Sequence, residues 1–96
     1  MHPDRVQRDR VERLTDLPNI GPRIALALQR IGVDSPNDLR GRDAFELYQN
    51  LCIAEGERVD PCALDVMISI TRFLQGDDPK VWWAYTAERK KRYPDP

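Results

Sequence analysis

Apolar residues recur along this chain at helical spacing. No segment alternates every second residue with β-branched enrichment, so the pattern predicts helices and no strand. A first helix is expected from about Asp4 to Asp16, on a thin apolar stripe of Val6, Val11 and Leu14. A second opens at Pro22, because a first helical position needs no N–H. Ile24, Ala27, Leu28 and Ile31 share its inner face, with Leu26 alongside, and Gly32 follows as a stop. Ser35-Pro36-Asn37-Asp38 has the order of a capping box, with serine as N-cap and an acid at N3, so a short third helix should run to about Gly41. The fourth, from about Asp43 to Glu55, turns Ala44, Leu47, Tyr48 and Leu51 inward, with Phe45 and Cys52 alongside, and Gly56 ends it.

Asp60-Pro61 opens a fifth helix, which Gly76 terminates. Within it Asp65, Ser69 and Arg72 form a narrow polar stripe on an otherwise apolar cylinder, the mark of a helix central to the fold. Asp78-Pro79 repeats the start signal for a C-terminal helix over about 79–92. It carries Trp82, Trp83 and Tyr85 and closes on Arg89-Lys90-Lys91-Arg92, after which residues 94–96 are expected to fray. The expected fold is all-α, a compact bundle of five to six short helices in a single domain spanning 1–96.

Between the first two helices lies Leu17-Pro18-Asn19-Ile20-Gly21-Pro22-Arg23-Ile24-Ala25. This run resembles the helix-hairpin-helix motif, a DNA-backbone-binding element whose core reads apolar-Pro-Gly-Ile-Gly-x-x-x-Ala. Leu17, Pro18, Ile20, Gly21 and Ala25 match, and the motif would occupy about 5–31. Asn19 stands where the motif has its first glycine; asparagine enters the left-handed region more readily than most residues, so the turn survives. Glycine at 21 suits a sharp turn or the close approach of a ligand. The N–H groups of Gly21, Arg23 and Ile24 would point outward at the positive end of the helix dipole, and the Arg23 side chain would reach the same phosphate. The competing reading is a tight turn between packed helices and nothing more. A second hairpin is not expected, because the loop before Pro61 is too long and too acidic to hold a phosphate.

Composition restrains this picture. Ninety-six residues with 41% hydrophobic and 32% charged content make one globular domain. The formal net charge of −1 counts against a strong, sequence-blind nucleic-acid binder but leaves room for a local backbone contact. No apolar run approaches a membrane span, and no apolar stretch follows the charges at Met1-His2-Pro3-Asp4-Arg5 as in a signal peptide. A cytoplasmic location with reduced thiols is therefore expected.

Other candidates divide between chemistry and packing. Cys52 and Cys62 read as small buried apolar residues or as a redox pair; metal binding is not expected, because the single histidine is His2. Trp83 and Tyr85 offer a partner surface or a stacking platform, against plain packing. Arg89, Lys90, Lys91 and Arg92 either assist a phosphate contact or serve the helix dipole. Arg5, Arg8, Arg10 and Arg13, interleaved with Asp4, Asp9 and Glu12, read as a solvated helical face with mixed ion pairs. No nucleophile–base set appears, so neither an enzyme nor a cofactor is expected. The partner would be duplex DNA, held through Asn19, Gly21, Arg23, Ile24 and the basic tail, or else another bacterial protein.

The hairpin also resembles the C-terminal domain of the RNA polymerase alpha subunit and that of a bacterial competence regulator. In the former, one fold serves DNA and protein partners, so the motif speaks for the fold more firmly than for DNA. A longer resemblance rests on the hairpin, Leu47 to Cys52, the Gly56 turn, Asp60-Pro61-Cys62, the helix through Phe73, and Trp82-Trp83-Ala84-Tyr85-Thr86-Ala87-Glu88-Arg89-Lys90. Over roughly residues 12 to 91 the chain resembles the bacterial "pathogenicity locus" family of small helix-hairpin-helix proteins, some labelled mitomycin resistance proteins. That resemblance implies an all-α fold and a nucleic-acid role, and supplies no catalytic residues.

Overall fold

A computed structural model describes residues 1–94 of the chain. Among them are four α-helices, α1 (Pro22–Arg30), α2 (Ala44–Glu55), α3 (Cys62–Leu74) and α4 (Thr86–Arg92), linked by short 3₁₀ turns, and no strand. The all-α expectation therefore holds, with fewer α-helices than the periodicity suggested. The expected fraying at Asp95 and Pro96 lies outside the described residues.

The expected first helix, Asp4 to Asp16, is not formed, so the run expected as a helix-hairpin-helix over about 5–31 has an α-helix, α1, on its C-terminal side only. Three separate turns take the place of that first helix, Pro3–Arg5, Arg8–Arg10 and Leu14–Asp16, with extended backbone at Val6, Gln7 and Val11 between them. Two pulls explain the break. The Asp16 carboxylate accepts the N–H groups of Glu12 (3.0 Å) and Arg13 (2.8 Å), which closes a local turn in competition with a helix. Arg8 is drawn to the far end of α3, where its guanidinium donates to the carbonyls of Phe73 and Asp77, each at 2.6 Å, and lies 4.0 Å over the Phe73 ring. A cation on the last carbonyls of α3 also suits the negative end of that helix.

The turn at Pro36–Leu39 is built the same way. Asp38 accepts from the N–H groups of Asp34 (3.0 Å) and Ser35 (3.2 Å), so the predicted cap is present, on a 3₁₀ turn. In both turns the residue after the capping acid, Leu17 or Leu39, is buried. Each device drops one leucine into the core just ahead of the next α-helix.

α3 is the centre of the molecule, as its wide apolar arc required. Leu64, Met67 and Ile70 are fully buried, each contributing about 1.5–3 kcal/mol. One side of α3 packs with Leu14, Leu17, Ile20, Leu28, Val33 and Leu51 in the main core; Leu64 and Ile68 join Tyr48 and Tyr85 in a second cluster. α2 starts on an Asp43 cap to the Glu46 N–H and stops at Gly56, whose φ of 71° is left-handed.

The polar stripe on α3 is a docking seam. Asp65 holds Thr86 and Arg89 of α4, Arg72 pairs with Glu88, and Ser69 accepts from the Asn19 side chain at 3.0 Å. The loop before α1 and the C-terminal helix are thus fastened along one line. The same fastening splits the expected helix over 79–92. The Asn19 amide takes the Lys80 carbonyl (2.8 Å), the acceptor that a helix from Pro79 would offer to the Ala84 N–H. That N–H turns instead to Val81, the turn Trp82–Tyr85 becomes 3₁₀, and α4 begins only at Thr86.

Candidate nucleic-acid interface

The loop between the Leu14–Asp16 turn and α1, where the hairpin was expected, is shaped by Asn19 and opened by Gly21. Asn19 sits at φ 66°, the left-handed position that glycine would otherwise fill. Its main-chain N–H donates to the Met1 carbonyl (2.7 Å), and its side chain bridges Ser69 and Lys80. Met1 in turn donates from its nitrogen to the carbonyls of Leu17 (3.0 Å) and Ile20 (2.6 Å). All the N–H groups of Asn19 are therefore turned inward, and its part in the site is to set the turn.

Gly21 is the N-cap of α1 with extended backbone, φ −96°. That conformation is open to any residue. A Cβ placed on Gly21 would also meet no heavy atom within 4 Å beyond its chain neighbours. Neither backbone strain nor internal packing calls for glycine here. The space above it opens outward from the fold.

The first bond of α1 runs from the Ala25 N–H to the Gly21 carbonyl. The N–H groups of Gly21, Arg23 and Ile24 have no acceptor among the described residues. They stand at the positive end of a nine-residue helix. Arg23 is exposed and forms no ion pair among the described residues. It borders a cleft of about 590 Å³ that continues past Leu26 to Glu57 and Asp60.

Charge around the turn is mixed: Arg23 shares its cleft with Arg30 and Arg58 and with the acids Glu55, Glu57 and Asp60. Asp16, the nearest acid in sequence, spends its carboxylate on its own turn, and the N–H groups of Arg13 and Glu12 hold its pKa below the ordinary value. Arg30 is paired with Glu55 at 3.1 Å.

The other sequence-derived candidates separate. Arg89 is only 11% exposed, with its Nε donating to Asp65 at 2.9 Å, and Arg92 is held by Glu88 at 3.2 Å. Of the basic tail, Lys90 and Lys91 are exposed and without an ion pair among the described residues. Trp83 is 61% exposed and meets the half-buried Trp82 edge to face, 5.4 Å between ring centroids. Tyr85 is buried, and that burial is the main cause raising its pKa; it lines no surface with Trp83. Cys52 and Cys62 are both free thiols. Cys52 Sγ accepts the Val59 N–H at 3.4 Å, and burial, chiefly, pushes the Cys62 thiol up, away from the reactive thiolate.

Lys80 was not singled out by sequence reasoning. Only the Asn19 side chain, 61 residues away in sequence, brings its backbone to the hairpin, and no local pattern marks that contact. No helix among the described residues is long and apolar enough to cross a membrane.

No solved structure matches the chain. The family model described as "Pathogenicity locus" matches residues 7–91. The chain is also similar to the mitomycin resistance protein McrB of Streptomyces lavendulae, 42% identical over 78 residues, which cover 81% of this chain and 74% of that protein. The family match spans α1, the α3 seam and most of α4 together, and on these two findings the chain belongs to the pathogenicity locus family.

Proposed function

We propose that this chain is a non-enzymatic nucleic-acid-binding accessory protein of the bacterial cytoplasm, contacting duplex phosphate backbone at the turn that opens α1 without strong sequence preference. One observation carries the reading. Three N–H donors at the start of α1, those of Gly21, Arg23 and Ile24, stand unbonded beside a glycine that the fold itself does not require. A phosphate oxygen at that point accepts from the backbone while Arg23 neutralises its charge. Lys90 and Lys91 are the tail residues free to assist; Arg89 and Arg92 are occupied by carboxylates.

Phosphate contacts fix position and carry no sequence information. Three of them, at Arg23, Lys90 and Lys91, predict an affinity that falls roughly fortyfold between 50 and 200 mM salt. Fluorescence anisotropy with a labelled duplex tests this. Binding at 50 mM salt that weakens tenfold or more on Arg23→Glu is expected. Undetectable wild-type binding, or an unaffected variant, rejects it.

A second reading, a protein-interaction module with no direct DNA contact, is favoured by one feature: Trp83 at 61% exposure on a turn fixed against α3. A pull-down from bacterial extract with a Trp83→Ala control tests it, and equal recovery by both forms rules that surface out.

A further inference from the structure

The N-terminal arginines do not form the solvated, ion-paired helical face that their spacing suggested. With the helix over 4–16 absent, Arg8 goes to the end of α3, and the pairs Arg8–Glu12 and Asp9–Arg13 are not made among the described residues. Arg5, Arg10 and Arg13 instead line one open cleft of about 610 Å³, together with Met1, Gln7, Glu12 and Asp16. All three arginines are exposed, and none has a carboxylate within ion-pair distance among the described residues. Of the two acids at this cleft, Asp16 is committed to backbone N–H groups, and Glu12 is the one whose carboxylate is free.

The cleft adjoins the hairpin. Met1 lines it and is bonded through its main chain to Leu17, Asn19 and Ile20. Three exposed guanidinium groups line a cleft whose edge, at Met1, is bonded to the loop that leads into the free N–H donors of α1, so both face an anion from neighbouring parts of the chain. Guanidinium is the side-chain group best matched to phosphate, through its planar fork of donors.

We propose that Arg5, Arg10 and Arg13 form a second phosphate-binding site that takes the nucleic-acid backbone leaving the hairpin. This rests on the hairpin reading for its ligand class, but its residues are separate from Gly21, Arg23 and Ile24. The hairpin then gives register and the arginine cleft gives most of the electrostatic affinity. It also reconciles an acidic chain with DNA, since the cation density is local.

The test is a salt titration of a labelled duplex, from 50 to 200 mM, with the full chain. The variants are the triple change Arg5→Gln, Arg10→Gln, Arg13→Gln, the matching triple change to Lys, and Arg23→Glu. Circular dichroism checks that each is folded; the three arginines are exposed, so all should be. Loss of three phosphate contacts lowers the slope of log affinity against log salt by about 2.7. The wild-type loss of affinity across that range should therefore exceed that of the triple Gln variant by about fortyfold. The triple Lys variant should keep most of the slope.

An unchanged slope in the triple Gln variant overturns the cleft, and leaves the hairpin standing if Arg23→Glu still weakens binding. Loss in the triple variant with none in Arg23→Glu supports the cleft and rejects the hairpin contact. Binding of polyglutamate with the same arginine dependence, and none of duplex, overturns the proposal in favour of an acidic protein partner.

Discussion

Arg89 reaches from α4 to a carboxylate that solvent does not touch: its Nε donates to Asp65 Oδ1 at 2.9 Å, and Asp65 is 0% exposed. Thr86 donates to the other oxygen at 2.7 Å, so both Asp65 oxygens are satisfied by α4. The first cation of the basic tail is thus part of the interior.

Removing one side of such a pair leaves a buried charge without a partner, at a cost of about 3–5 kcal/mol. Arg89→Ala should therefore destabilise the chain by that amount, against a total stability of about 5–15 kcal/mol for a domain of this kind. Lys90→Ala and Lys91→Ala, at exposed positions, should change it by less than about 0.5 kcal/mol. Urea unfolding followed by circular dichroism measures all three. An Arg89→Ala cost below about 1 kcal/mol would mean that α4 is not held by this pair.

The turn residue Asn19 gives a second, ordered prediction. Asn19→Gly keeps the left-handed backbone but loses the side-chain bonds to Ser69 and Lys80. The expected cost is about 1–2 kcal/mol. Asn19→Ala loses the same bonds and adds the left-handed penalty of roughly 1–2 kcal/mol. Stability should fall in the order wild type, Gly, Ala. If Gly equals or exceeds wild type, the Asn19 bridge contributes nothing.

These two residues also show where the sequence was readable. Gly32, Gly56, Pro22 and Asp43 mark helix ends by local chemistry, and α1 and α2 appear where those signals put them. Asp65, Ser69 and Arg72 were visible as a polar stripe, because periodicity within one helix is local. Their partners Arg89, Asn19 and Glu88 lie 24, 50 and 16 residues away, and no local pattern encodes such distances. The N-terminal segment misled for the opposite reason. Its alternating charges satisfy the rule for a solvated helix, but Asp16 and the carbonyls at the end of α3 offer its donors better acceptors.

Acid should act through the capping aspartates. Asp16 is held below the ordinary aspartate pKa mainly by the Arg13 N–H and then by that of Glu12; Asp60 is lowered mainly by the Cys62 N–H. A carboxyl whose folded pKa is depressed contributes stability in full above its unfolded value, near 4. That contribution is lost as pH falls below this value and through the lower folded one. The melting temperature should accordingly drop on acidification from pH 5 to below 3, and drop less in Asp16→Asn. Equal slopes for the two proteins would remove Asp16 as a contributor.

Gly21→Ala separates fold from function at the hairpin. The extended φ of −96° accepts alanine, and the added methyl meets nothing within 4 Å. The remaining penalty is that of a poorer N-cap, which should stay within about 1 kcal/mol. If the N–H groups of Gly21, Arg23 and Ile24 cradle a phosphate, the same methyl stands where an oxygen must approach, and duplex affinity at 50 mM salt should fall tenfold or more. The salt slope distinguishes the cause. Steric exclusion at one phosphate lowers it by about one, with the contacts at Arg5, Arg10 and Arg13 unchanged. Thermal melting and duplex titration on one preparation give both quantities. A variant that melts and binds like wild type would show that glycine at this position serves no ligand.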